Sequence, residues 1–350
     1  GDMSSQRPPI PHVVLMDGTL ASVGGRGRTH IGTIRRLVGR AGTVRVHYAS
    51  GIQWSDWHGV SAVFTGRGLE DRIAAAYGWL ASSWHPGDPI FIFGYSRGAF
   101  SARSLAGMIA QVGLLTPQAA TERNIRLAWR FYERGGSEGA MAAFRRRCHP
   151  HVMIDMVGVF DTVMALGLRL PLLWMLTEAR HRFHNDLGGR VRLAAQALAL
   201  DETRAAFQPI LLEPGAAERV EQRWFRGCHA DIGGQMAGFE PGRGLANIPL
   251  VWMLDLAEAQ GLPLPAGWRA RLPCDPAAPS VGNWRGWGRV FLLRVPRTVE
   301  TDGHDALHDS VALPYRGPAL IGGTRPARFA RRIPLRRRKL RLPGLRRPGG

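Results

Sequence analysis

The stretch Pro89-Ile90-Phe91-Ile92-Phe93-Gly94-Tyr95-Ser96-Arg97-Gly98 sets a serine between two glycines, each two positions away. A β-branched and aromatic run leads into it and a small-residue helical pattern follows, so the serine falls on a strand-to-helix turn. A nucleophile at such a turn takes a strained backbone conformation, and the residues two before and two after must lack side chains that would strike the strand or the helix. Gly94 and Gly98 meet that condition. The chemistry this arrangement serves is acyl transfer. Ser96 attacks a carbonyl, and the N–H of Arg97, at the positive end of the helix, faces the oxygen that becomes charged.

A serine hydroxyl needs a base, and the base needs a carboxylate to orient it. Residues 152–160 read as a buried strand ending at Asp161-Thr162-Val163, which puts Asp161 where an orienting acid belongs. A turn or helix cap made by the same aspartate is the plainer reading. Residues 220–225 read as a late strand, followed by Arg226-Gly227-Cys228-His229-Ala230-Asp231-Ile232-Gly233-Gly234. His229, on a glycine-bounded loop, is the expected base. His308 is the alternative base and Asp231 an alternative acid. His229 with Asp231 makes a poor metal pair, because no third ligand stands at a telling distance, and neither a metal nor a cofactor is expected. The order Ser96, Asp161, His229 is that of α/β-hydrolases.

These residues need a sheet to carry them. Val13-Val14-Leu15-Met16 reads as a first buried strand ending at Asp17-Gly18-Thr19, where the N–H of Gly18 or Thr19 is placed to give a second oxyanion donor. Leu15 stands where aspartyl-phosphate phosphatases carry their nucleophilic carboxylate, so that chemistry is excluded. Residues 69–84 read as a helix before the serine strand, and 121–134 and 138–147 as helices with solvated arginine faces. The alanine-rich residues 194–202 read as a helix, 247–261 as an amphipathic helix, and 288–296 as a final strand. Trp54, Trp57 and His58 lie in a glycine- and serine-rich loop. The apolar residues 164–176 read as a lid, a lipid-facing wall or a packed loop and helix. The expectation is one α/β domain over 12–316, a mostly parallel sheet with helices on both faces. A flexible segment precedes it over 1–11, and an arginine-rich disordered tail follows over 317–350.

The chain has 350 residues, 45% of them hydrophobic, enough for a large core. Its net charge is +19, of which ten arginines and Lys339, with no acid between Arg325 and Gly350, supply +11. That tail can touch phosphate on lipid or nucleic acid, or stay solvated. The alternative to catalysis is a degenerate hydrolase scaffold that binds membrane or nucleic-acid phosphates through it. Of the two surfaces an anionic membrane, not nucleic acid, is the expected partner. The three cysteines are too few and too far apart for a disulfide framework. No signal peptide or membrane-length apolar run is read, so a cytoplasmic protein is expected, with secretion by a non-Sec route left open.

Taken together, Met16-Asp17-Gly18-Thr19, Gly94 through Arg103, Phe160-Asp161-Thr162-Val163, Asp201-Glu202 and Trp224 through Gly234 resemble an uncharacterised α/β-hydrolase family. Its best-known members are phospholipase effectors of type VI secretion systems. Ile248 through Met253 and His308-Asp309-Ser310-Val311 extend the resemblance over about residues 12–316. It implies a serine esterase, in some members one that cleaves acyl esters of phospholipids. Two departures stand out: Gln196-Ala197 where members often carry a histidine-alanine pair, and Leu20-Ala21 where they carry Trp-Asn.

Overall fold

A computed structural model of the chain describes residues 7–18, 28–51, 67–163, 187, 189–282, 294–300 and 305–322. Val13 to Met16 form most of β1 (His12–Met16), buried throughout. Then come α1 (His30–Arg40), β2 (Arg45–Ala49), α2 (Arg67–Ser83), β3 (Ile90–Tyr95) and α3 (Arg97–Val112). The chain continues through α4 (Glu122–Arg134), α5 (Glu138–Arg145), β4 (Ile154–Phe160), β5 (Val191–Ala199) and β6 (Arg219–Phe225). It closes with α6 (His229–Gly233), α7 (Arg243–Ala259), β7 (Thr298–Val299), β8 (Asp305–Leu307) and β9 (Leu320–Ile321).

Seven strands form one sheet in the order β2-β1-β3-β4-β5-β6-β8, and every neighbouring pair runs parallel. Such a sheet must be covered on both faces, which is why its central strands read as continuous apolar runs. Val14, Met16, Ile90 and Ile92 pack with Ile73 and Leu80 of α2 and Phe100 and Leu105 of α3. Val13, Leu15, Phe91 and Phe93 point the other way, against Ile31 and Ile34 of α1 and Leu245 and Met253 of α7. The fold is therefore the α/β class expected. The strand order reverses between β1 and β3, and the crevice beyond the carboxyl ends at such a reversal is where ligands collect in open α/β sheets. Ser96 follows β3 there.

Three expectations are corrected. Residues 194–199, read as helix, lie in β5, which is buried between β4 and β6. Alanine favours a helix in isolation, but an inner strand covered on both faces rewards small apolar side chains, and that packing wins. His229 opens the short helix α6 rather than sitting in a loop. Of the strand read over 288–296, only 294–296 are described, and Arg294 makes an isolated antiparallel bridge with Arg204. The outer strand of the sheet is β8 instead, whose Asp305 carboxylate accepts the indole N–H of Trp224.

Both expected termini are partly described. Arg7 gives two hydrogen bonds to the carboxylate of Asp88, at 3.0 and 3.1 Å, and the Ile10 N–H gives a third at 2.9 Å. At the other end Ala319 is buried and β9 pairs with β7. Residues 323–350, Thr19, Trp54, Trp57, His58 and residues 164–176 lie outside the described residues. Among those described, no helix is long and apolar enough to cross a membrane.

Candidate active site

Tyr95 and Phe160 are register partners on β3 and β4, so the residues that follow them, Ser96 and Asp161, leave the sheet side by side. Both take positive φ, 60° at Ser96 and 46° at Asp161. Such conformations cost a side-chain-bearing residue about 1–3 kcal/mol each and persist only where the surroundings impose them. The surroundings at Ser96 are tight. A Cβ on Gly94 would strike the carbonyl oxygen of Gly98 and come within 2.6 Å of Ala99 Cα, and one on Gly98 would strike the carbonyl oxygen of Met16. The two glycines therefore let α3 lie against β1 and β3 at the turn.

His229 arrives from β6, two strands beyond β4, and α6 carries it back over the sheet. Cys228 and Asp231 cap this short helix: Asp231 Oδ2 accepts the Cys228 N–H at 2.9 Å and the Ser280 hydroxyl at 2.5 Å, while Oδ1 accepts the Val281 N–H at 2.9 Å. The imidazole lies between the rings of Tyr95, 5.1 Å between centroids, and Phe207, 4.8 Å. Its Nε2 is 2.9 Å from Ser96 Oγ, and its Nδ1 is 2.5 Å from Asp161 Oδ2. An ionised Asp161 only accepts, so Nδ1 carries the proton and Nε2 is left to accept from the Ser96 hydroxyl. Burial works against the Asp161 charge, but the charge of Arg297 and the hydrogen bond from His229 outweigh it and hold the carboxyl below its ordinary range.

The other expected residues are arranged differently. Arg97 opens α3, so its N–H has no place in the helix ladder. Its guanidinium is buried and pushed down to about 10, first by burial and then by the charge of Arg72. Gly18 lies beside Ser96, but its N–H donates to Asp17 Oδ1 at 2.8 Å. His308 stacks on Phe225 at 4.5 Å between centroids and shares its Nδ1 with the Ser310 hydroxyl, 2.8 Å away.

A model of the type VI secretion system phospholipase effector Tle1-like catalytic domain matches residues 11–256. The chain belongs to this family. Over 160 residues the chain is 32% identical to the uncharacterized protein YEL023C of Saccharomyces cerevisiae, covering 42% of this chain and 22% of that one. A crystal structure of an uncharacterized protein from Pseudomonas aeruginosa matches with a TM-score of 0.42 and 16% identity, covering 76% of this chain and 49% of the other. The Tle1 effector bound to the VgrG spike of the type VI secretion system matches with a TM-score of 0.32 and 16% identity, over 65% of this chain and 51% of that one. The chain thus spans about a fifth of the yeast protein and about half of each solved structure.

Two further residues support this cluster in ways the sequence did not mark. Gln196, the departure noted in β5, is fully buried, with Nε2 donating to the Ile210 carbonyl and to Gln222 Oε1, both at 3.0 Å. Its Oε1 accepts from the Thr162 hydroxyl at 2.5 Å, so it braces the turn that holds Asp161. Arg297 is the other; its charge sits directly on Asp161.

Asp17, at the end of β1, gives the site a pH-dependent support. It accepts hydrogen bonds from the hydroxyls of Tyr48 at 2.6 Å and Thr29 at 2.7 Å. Burial raises its carboxyl and these bonds offset the effect only in part, leaving it at about 6. A folded-state value above the unfolded one means that the folded chain keeps this proton longer as the pH rises. Its contribution therefore favours the fold below the ordinary value of 3.8 and is lost as the pH climbs through about 6. For the group alone the change is about 3 kcal/mol. Urea midpoints measured from pH 4 to 7 are expected to fall more steeply in the native chain than in Asp17→Asn; equal slopes would rule this out.

Proposed function

We propose that this chain is a serine hydrolase acting on carboxylic esters, with phospholipid acyl esters as its substrate class. The observation that carries the reading is the unbroken hydrogen-bond line from Ser96 through His229 to Asp161, three residues separated widely in sequence. His229 Nε2 takes the hydroxyl proton as Ser96 Oγ attacks the carbonyl carbon. The electron pair pushed onto oxygen meets the Arg97 N–H at the start of α3. A contribution from Gly18 requires its bond to Asp17 to give way, and Thr19 is the remaining candidate for the second donor. Collapse of the tetrahedral intermediate breaks the ester C–O bond, and the proton on His229 passes to the leaving alcohol. Water, deprotonated by the same imidazole, then frees the acyl group and returns the proton to Ser96.

A fluorophosphonate probe tests the reading. Native protein should be labelled at Ser96, and loss of the label in Ser96→Ala with retained fold supports it; no Ser96-dependent label would sink it. Turnover of short and long acyl esters beside phospholipid vesicles then sets the substrate.

The charge of residues 325–350 favours a second role, contact with an anionic lipid surface, where each basic residue contributes about 1 kcal/mol. Removing those residues is expected to weaken sedimentation with phosphatidylserine vesicles and to leave turnover of a soluble ester unchanged. If vesicle binding persists, the tail has no such role.

A further inference from the structure

Arg297 lies just ahead of β7, beyond residue 256 where the family match ends, and its side chain is 1% exposed. Nη1 donates to Asp161 Oδ1 at 2.5 Å and Nη2 to Oδ2 at 3.0 Å, a two-pronged grip on the carboxylate. The guanidinium is itself held by the carbonyls of Ala199 at 2.9 Å and Phe207 at 2.5 Å. We propose that Arg297 is a positioning residue for the Ser96 site: it fixes the plane of the Asp161 carboxylate so that Oδ2 faces His229 Nδ1, and it neutralises that carboxylate while the imidazole is uncharged.

The torsion that turns a carboxylate about its Cβ–Cγ bond is broad, so the side chain alone does not choose a plane. Apart from Arg297, the described partners are one N–H on each side, Ala199 on Oδ1 at 3.0 Å and His229 on Oδ2. A guanidinium is flat, carries parallel N–H groups and fits both oxygens at once, so it holds the plane more firmly than the separate bonds from Ala199 and His229 do alone. The same cation donates to the backbone carbonyl of Phe207, the residue whose ring packs on the imidazole. The charge acts too. Asp161 is fully buried, and an ionised carboxylate there needs a counter-charge. Arg297 supplies that counter-charge at hydrogen-bond distance on both oxygens. The C-terminal described segment thus completes the site. β9 secures it from the far side, since the Leu320 N–H donates to the Arg297 carbonyl at 2.9 Å.

The proposal rests on the serine-hydrolase reading, and a double-mutant cycle on a soluble short-chain ester separates the two. Arg297→Gln should lower kcat about a hundred-fold with KM changed less than about threefold, as expected for a misplaced catalytic group rather than a lost substrate contact. Arg297→Lys, which keeps the charge but not the fork, should fall between. In the Asp161→Asn background, Arg297→Gln should cost less than about threefold more, because both changes act through one carboxylate. If Arg297→Gln does not fold, the same comparison made with Arg297→Lys decides. An equal loss in both backgrounds, or a loss confined to KM, would overturn the role of Arg297 while leaving the hydrolase reading intact. Turnover that survives Ser96→Ala would overturn both.

Discussion

Ser96→Ala is expected to lower turnover of an activated ester by about a million-fold, the loss seen when a nucleophile that works as a unit with its base is removed. The expected change in stability is small by comparison. Alanine at φ 60° bears the same backbone strain as serine, and the hydroxyl is bonded to His229 rather than to the framework of the turn. A steady-state assay beside a thermal melt therefore separates chemistry from folding. A loss of only a few-fold with the melt unchanged would place the nucleophile elsewhere.

Asp161→Asn should follow at about ten-thousand-fold in kcat, through the tautomer it imposes. Oδ1 takes two fixed donors, Ala199 N–H and Arg297 Nη1, whereas Oδ2 takes one fixed donor, Arg297 Nη2, and an imidazole that can change tautomer. The amide oxygen therefore favours the Oδ1 side. The amide nitrogen then faces His229 Nδ1, a donor against a donor, unless the imidazole moves its proton to Nε2. With the proton on Nε2 the ring no longer accepts from Ser96. The same substitution leaves the Arg297 cation buried without its counter-charge, which costs about 3–5 kcal/mol. Residual turnover should accordingly be measured well below the variant's melting temperature. Turnover within tenfold of the native chain would mean that Asp161 does not orient the imidazole.

The serine turn was legible because its constraints are local: two glycines at fixed offsets, an apolar run before and small residues after. Asp161 was legible for a related reason, standing just past an apolar run that the sheet was bound to bury, and His229 because it follows a strand-length segment ending in Trp224-Phe225 and is bounded by glycines. What escaped depends on tertiary contact. The alanines of β5 satisfy a helix as well as a strand until two neighbours cover them. α6 spans only five residues and β8 only three, too short to show a period. The bond from Gly18 to Asp17 joins adjacent residues and leaves no pattern. Arg297 is one of 46 basic residues, and nothing near it in sequence marks it as the one whose charge meets a carboxylate 136 positions away.

Gln196 has a consequence for how the chain finds its pairing. β5 carries alanine at 194, 195, 197 and 199, side chains so small that they do little to resist a slide of two residues along β4 or β6, which leaves the register to Leu193, Leu198 and Gln196. The amide does discriminate, because its oxygen and nitrogen are matched to Thr162, Ile210 and Gln222 in one alignment. A shifted strand would strand both groups in a dry interior, at about 1–3 kcal/mol for each. One polar side chain thus works as an indexing pin for an alanine-rich ribbon.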